Sequence, residues 1–533
     1  MGIAFISEEF AIKNLPTYAG GLGILAGDLF YTAEDLKFDF YGITFVNRKG
    51  YNSYKIKDGQ IVREEEEYEP MEYFVKYDED FSITLENNTV IKFSIWRYYL
   101  TYSKLFFIDT NVPDNLDTFR ELSDRLYYEN NQEERIIKSL ILGLGSLEIV
   151  EKLNLNVKKF HLNESHGGFL AIELYKRLKD IDKVREKIVF TTHSPIAGHL
   201  AFDYDLVEKY YEIPDEIKKI SPNKLDMTKV LIHLAGYKNA VSLKHKIVSK
   251  RLYGYDLDYI TNGSYHQRWV NRKIGYLFDT YIPGWRNEPS KLAYAGSIPL
   301  NEFRKIKLQL KNELIEYINT NAHINREFSE DRILIAVRRR LTEYKRFHML
   351  LWRLEKLKEL DKKYKIQFVL SGVFHPKDEF TKNTIKWIID TMSTLDIPIA
   401  LILKRGEELE KYILAGTDLF LHIPRPPFEA CGTSWMRAGI NGTPTLFSMD
   451  GGALEIIIDG YNGWYFGKNI YDPKEHDEEE DITSFYNKLD EILKLYRENN
   501  DEYLTIGINA IKTIGPIFNS YRCFKEYISK AYI

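Results

Sequence analysis

Three segments of the sequence gather residues able to hold an anion or a polar ring. In the first, Arg338-Arg339-Arg340-Leu341-Thr342-Glu343-Tyr344-Lys345-Arg346, five cations and one acid follow the apolar run ILIAV. Guanidinium forks match oxyanion oxygens in pairs, whereas an ammonium acts as a point charge. A solvated basic surface would read the same way. Nucleic acid is a weaker option, because no basic stripe continues the patch. In the second segment, residues 424–455, Glu429 precedes the small-residue turn Cys431-Gly432-Thr433-Ser434, and a helix is expected from about Trp435. A carboxylate for hydroxyl groups beside amides for an oxyanion would suit a glycosyl phosphate. A plain strand–turn–helix connection is the alternative. The third segment, Ala19-Gly20-Gly21-Leu22-Gly23, lies between an expected strand and helix, where glycines let amides approach an anion or simply make a tight turn. HLNESH (161–166) and THSPIAGH (192–199) contain no His pair at helical spacing and have no thiolate nearby, so no metal is expected. They read as polar strand ends lining a cleft, or as buried and satisfied histidines.

The elements that must position these residues follow from hydrophobic periodicity. Strands are expected at Ile3–Ile6, Lys158–Leu162 and Lys187–Thr191, with helices at about Leu25–Asp35 and over 132–153. Residues 39–110 read as strands with a charged insertion, Arg63–Glu69. A pattern break at 278–300 precedes a charged helix, about Glu302–Thr320. A second strand series follows at Ile333–Val337, Ile366–Leu370, Pro398–Leu403, Asp418–Leu421 and Thr445–Ser448. Strands alternating with helices, with polar motifs at the strand ends, predict an α/β fold of two doubly wound domains. The expected division is 1–285, 286–515 and a C-terminal helix, 516–533, crossing back to the first domain. The acidic run Lys474–Asp481 reads as a solvated loop, and no internal repeat is evident.

Length and composition narrow the classes. A chain of 533 residues with 44% hydrophobic and 28% charged residues suits a multidomain globular protein and excludes disorder. The net charge of −5 argues against charge-driven nucleic-acid binding. Cys431 and Cys523 alone make no disulfide framework or cysteine zinc site. With no basic n-region, apolar h-region or membrane-length apolar run, a soluble cytoplasmic location is expected.

Taken together, the motifs resemble the glycogen/α-glucan phosphorylase family, most closely its shorter prokaryotic members. The resemblance runs through SEEF, LPTYAGGLGILAGD, LSDRLYY, QEERI, HLNESHGGF, FTTHSP, TNGSYHQRW, RRRLTEYKR, HPKDE, EACGTSWMRAGING and MDGGALE. It implies the GT-B arrangement of two Rossmann-like domains facing a cleft. It also implies transfer of glucose from an α-1,4-glucan to phosphate with retention, and pyridoxal phosphate acting through its phosphate. Matched by position, Gly21 and Leu22 would offer amides to phosphate and sugar, and Glu164 and His166 would line the cleft. The His193 carbonyl would face the anomeric side. Asn262 and Glu429 would bind glucose hydroxyls, Tyr344 would line the pocket, and the Cys431-Gly432 turn would supply amides. Arg340 and Lys345 would hold substrate phosphate, while Arg339, Lys345, Thr433 and Ser434 would surround the cofactor phosphate.

The sequence departs from the family where the imine-forming lysine belongs: it reads Gly432-Thr433-Ser434-Trp435-Met436-Arg437. A guanidinium offers no free amine, so covalent pyridoxal phosphate is excluded. The Trp435 indole is expected to fill the slot of the pyridine ring. The lysine of a GKAHP-type segment is also missing, since Gly372-Val373-Phe374-His375-Pro376 stands there. Three readings follow. One is phosphorylase chemistry with pyridoxal phosphate or a second phosphate held noncovalently. Another is a glycosyltransferase using a sugar nucleotide, in which Arg437, eight positions after Glu429, would pair with the donor diphosphate. The third is a glucan-binding relative without turnover. The implied partners are an α-glucan or maltooligosaccharide and a phosphate, sugar phosphate or sugar nucleotide. A homo-oligomer is possible, and neither nucleic acid nor membrane is implied.

Overall fold

Apolar runs such as Ile3–Ile6 and Ile333–Val337 have no polar face to turn to water, so they form central strands of parallel sheets covered on both sides. The computed structural model describes residues 2–194 and 200–533. The parallel strands of the first sheet are β1 (Gly2–Ile6), β2 (Phe40–Phe45), β3 (Ser103–Asp109), β4 (Val157–Asn163), β5 (Ile188–Thr191), β6 (Tyr237–Ala240) and β7 (Asp258–Tyr259). They lie in the order β7-β6-β5-β4-β1-β2-β3. Antiparallel strands, including Val90–Tyr99, complete this ten-stranded sheet at the β3 edge.

The second sheet holds β8 (Ile333–Arg338), β9 (Ile366–Ser371), β10 (Ile399–Ile402), β11 (Leu419–His422), β12 (Thr445–Ser448) and β13 (Trp464–Phe466). Its order is β10-β9-β8-β11-β12-β13, with a short antiparallel strand beyond β10. Counted from the first strand of each sheet, both follow the doubly wound order 3-2-1-4-5-6. Four helices bear on the site: α1 (Gly21–Asp35), α2 (Glu407–Gly416), α3 (Ser434–Ile440) and α4 (Ser520–Tyr527).

Several expectations need correction. The helix expected from Leu25 begins at Gly21, so the glycine-rich loop is the first turn of α1. The acidic run is solvated over most of its length but is not a loop throughout. The Asp477 side chain caps a helix over Glu478–Glu498, where three glutamates and an aspartate favour the positive end of the helix dipole. Asp481 in that turn is buried against Arg346 at 2.7 Å. Pro516 does not start the last helix but lies inside one spanning Asn500–Ile517. Beyond it, α4 packs Phe524 and Tyr527 with Phe5, Phe30 and Phe40 of the first sheet's core. A separate core cluster joins the halves, bringing Tyr18, Ile24 and Trp269 together with Trp435, Met436 and Phe447.

Candidate active site between the two sheets

In a doubly wound sheet, the connections leaving the first and fourth strands diverge and open a crevice at their carboxyl ends. Here the four segments at those two points carry the motifs. Residues after β1 lead through Glu9 to the start of α1, and β4 ends at Glu164 and His166. Beyond β8 come Arg339 and Arg340, and beyond β11 come Glu429 to Ser434. These ends face one cavity of about 500 Å³. Gly21, Leu22, Glu164, His166, His193 and Asn262 line it from the first half. Arg339, Arg340, Tyr344, Lys345, Glu429, Cys431, Gly432, Thr433, Ser434 and Arg437 line it from the second, so every candidate residue named from the sequence meets there.

The first wall is built from main-chain amides, a neutral histidine and two carboxylates, Glu9 and Glu164. Gly21 and Leu22 open α1, where the first N–H groups have no intrahelical acceptor. Their placement depends on Glu9, which sequence reasoning did not single out. Its Oε2 accepts from Ala19 N (2.6 Å) and Gly20 N (3.2 Å), and its Oε1 accepts from the Tyr127 hydroxyl (2.7 Å). A Cβ at Gly23 would lie 2.6 Å from Tyr18 Cβ and 2.8 Å from Glu9 Oε2, so only glycine fits. Across the cavity, Glu164 has φ +70°, and its carboxylate accepts the His193 amide at 2.7 Å. His193 Nε2 bonds Asn163 Oδ1 at 2.7 Å, and Asn163 in turn donates to Ser7 Oγ. Burial lowers the His193 pKa to about 4, so its ring is neutral near pH 7.

The second wall is cationic. Glu429 Oε2 accepts from Arg339 Nη2 at 2.9 Å and pairs with Lys345. Burial alone would raise the Glu429 pKa, but Lys345 and Arg339 hold it at about 2. Glu429 is therefore a fixed hydrogen-bond acceptor. The first half steadies its turn: Ser242 Oγ donates to Ala430 O (2.6 Å) and Asn262 Nδ2 to Cys431 O (3.3 Å). Lys244 pairs with Asp450, whose Oδ2 accepts the Glu429 amide at 2.8 Å. Arg340 is exposed to the cavity and makes no ion pair or hydrogen bond among the described residues. Six cationic and four carboxylate side chains line the cavity among the described residues, an excess of two positive charges.

The structure revises two expectations. Trp435 does not reach the cavity; fully buried, it packs on Phe447 and Phe518, with ring centroids at 5.6 and 5.1 Å. The reason is helical phase: Ser434 and Arg437, three apart on α3, face the cavity, and Trp435 points to the core behind. Arg437 is 2.5 Å from Glu410 Oε1 of α2, donates to Thr433 and stacks over Trp269 at 4.4 Å. Its guanidinium is thus held by the protein itself. Glu410 carries no local motif, and only the packing of α2 brings it to the cavity. In the Gly372–Pro376 segment, Gly372 and Val373 line the cavity, whereas Phe374 stacks on Tyr54 at 4.1 Å.

Of the second histidine motif, residues 195–199 lie outside the described residues. Among those described, no group of three or more His, Cys, Asp or Glu side chains could hold a metal ion. No helix there is long and apolar enough to cross a membrane.

Comparison with known proteins gives this geometry a context. A family model described as carbohydrate phosphorylase matches residues 241–507. A maltodextrin phosphorylase of Thermococcus litoralis is 32% identical over 99% of this chain and 70% of its own length. A glycogen phosphorylase of Aquifex aeolicus is 29% identical over 99% and 86%. An uncharacterized protein of Methanocaldococcus jannaschii is 30% identical over 99% of both chains. With two doubly wound sheets meeting at one cavity and similarity along nearly its whole length, the chain belongs to the carbohydrate phosphorylase family.

Proposed function

We propose that this protein moves a glucosyl group between an α-1,4-glucan and inorganic phosphate, forming glucose 1-phosphate with retention. The observation that carries the reading is the pairing of Arg340, without a partner among the described residues, with the open amides of α1 on one cavity. Phosphate held by Arg340 and these amides would sit beside a hexose bound by Glu429, Asn262 and His166. The glucosyl C1–O bond breaks as a phosphate oxygen bonds to C1 on the same face. The departing glucan oxygen takes a proton from phosphate. The His193 carbonyl, facing the ring, would stabilise positive charge as it develops. Residues 1–285 and 286–515 would act as the two domains, with 516–533 returning to the first.

Members of the family use pyridoxal phosphate, and the residues present do not fit its covalent attachment. Arg437 has no amine to form an imine and is committed to Glu410, Thr433 and Trp269. Lys345 is the lysine on the cavity among the described residues, and it pairs with Glu429. No step is therefore assigned to that cofactor. The sugar-nucleotide reading is disfavoured for the same reason: the guanidinium it needs is already engaged.

The test is to incubate purified protein with maltodextrin and phosphate, without added cofactor, and assay glucose 1-phosphate. Release of glucose 1-phosphate supports the reading. Its absence, together with consumption of UDP- or ADP-glucose when glucan is present, overturns it.

A further inference from the structure

We propose that Arg437 is a positioning residue for the glucosyl transfer: with Glu410 it ties the 431–434 turn of the cavity to α2, and α2 is in turn set by the first half. The catalytic side of this rests on the proposed transfer to phosphate; the mechanical side does not. Arg437 is 3% exposed and Glu410 6%. The Arg437 guanidinium lies 2.5 Å from Glu410 Oε1, and its Nε and Nη2 donate to the carbonyl and hydroxyl oxygens of Thr433 at 3.2 and 3.3 Å. One fork thus joins helix and turn, a geometry that an ammonium does not reproduce.

The helix α2 starts at Glu407, and Gly406 before it has no side chain to cap it. Asn14 of the first half supplies an acceptor, its Oδ1 taking the Glu407 amide at 2.9 Å. The Glu407 carboxylate pairs with Arg268 of the first half at 2.7 Å and with Lys411 of its own helix at 3.0 Å. Arg268 also pairs with Asp28 of α1 at 3.2 Å, and Asp28 accepts the Trp269 indole N–H at 2.9 Å. Both guanidiniums, Arg268 and Arg437, lie against the Trp269 ring, 4.9 and 4.4 Å from its centroid. Buried contacts therefore run from α1, which opens on the cavity, through Asp28, Arg268 and Glu407 to α2. From Glu410 they continue through Arg437 to the turn on the opposite wall. Buried ion pairs part only at high cost, so this chain fixes the spacing between the two walls.

Hydrogen exchange and kinetics on the full chain test the coupling through Asn14, which is exposed and does not line the cavity. Asn14 has φ +59°, so Asn14→Gly keeps the left-handed backbone and removes only the cap. Faster amide exchange over residues 430–436 is expected in Asn14→Gly, with no further increase when it is added to Arg437→Gln. Exchange there that Asn14→Gly leaves unchanged, or raises equally in both backgrounds, overturns the coupling. Glu410→Gln serves as the second background if Arg437→Gln does not fold. In glucose 1-phosphate release, Arg437→Gln should lower kcat about 10²-fold with little change in the maltodextrin KM, and Asn14→Gly should lower it about fivefold. A rise in KM with kcat unchanged overturns the positioning role. Exchange as expected, from a wild type that forms no glucose 1-phosphate, removes the proposed function and leaves the coupling standing.

Discussion

The two sheets share one strand order yet offer opposite chemistry at the same topological point. Where the first sheet's crossover opens, it presents the amides of α1, a neutral His193 and the Glu9 and Glu164 carboxylates. The second presents Arg338, Arg339, Arg340, Lys345, Arg405 and Arg437 against two carboxylates, Glu410 and Glu429, of which Glu429 pairs with Arg339 and Lys345. The first wall works through fixed dipoles and geometry. The second works through charge, held in check where Glu429 neutralises it. An anion beside a sugar needs both: directed donors to place it, and net charge to draw it from water.

Removing Arg340, the cavity cation without an ion-pair or hydrogen-bond partner among the described residues, should break this comparison most severely. Arg340→Met is expected to lower kcat/KM about 10³-fold, roughly 4 kcal/mol of transition-state stabilisation, with the fold intact. Steady-state kinetics at several phosphate concentrations measure it. A loss below tenfold would mean that charge on the second wall is not what supports the anion.

The next effect concerns the balance within the cationic wall. The ordinary Glu429 value of 4.5 falls to about 2 in the folded protein. The stability this confers is present above pH 4.5 and lost as pH falls towards 2. Over that window it amounts to about 3 kcal/mol. Urea denaturation between pH 6 and pH 3 should therefore show a steeper acid loss for wild type than for Glu429→Gln, which should also be less stable at neutral pH. Parallel pH profiles would show that the Lys345–Glu429–Arg339 group contributes nothing.

The smallest expected effect probes the first wall. Glu9→Ala removes the acceptor of the Ala19 and Gly20 amides and the partner of the Tyr127 hydroxyl. We expect about a tenfold loss in kcat/KM, on the scale of one displaced hydrogen-bonded loop. Because this wall acts through local dipoles, the ratio of variant to wild type should hold from low to high salt. A ratio that changes with salt would assign Glu9 an electrostatic role instead.

Much of this site was legible in the sequence, because strand-end motifs are contiguous: a run such as ILIAVRRR states both the strand and what emerges from its end. Glu410 was not, since it belongs to no motif, and Glu9 was not, since nothing in SEEF announces its task. The fate of Trp435 was misread for a related reason. Its neighbours in sequence line the cavity, but which face of a seven-residue helix turns inward is set by what packs behind it, here Phe447 and Phe518. The acidic run misled only at its end, where the chain turns helical and Asp481 is buried against Arg346.

By itself the sequence determined the α/β class, most of the parallel strands, the motifs at their ends and the loss of the imine-forming amine, because each of these depends on residues adjacent in the chain. The shared strand order of the two sheets, the meeting of their crossovers at one cavity, and the pairing of Arg437 with Glu410 were decided by tertiary structure. These are matters of which distant surfaces bury each other and which charges are left with a partner once they do.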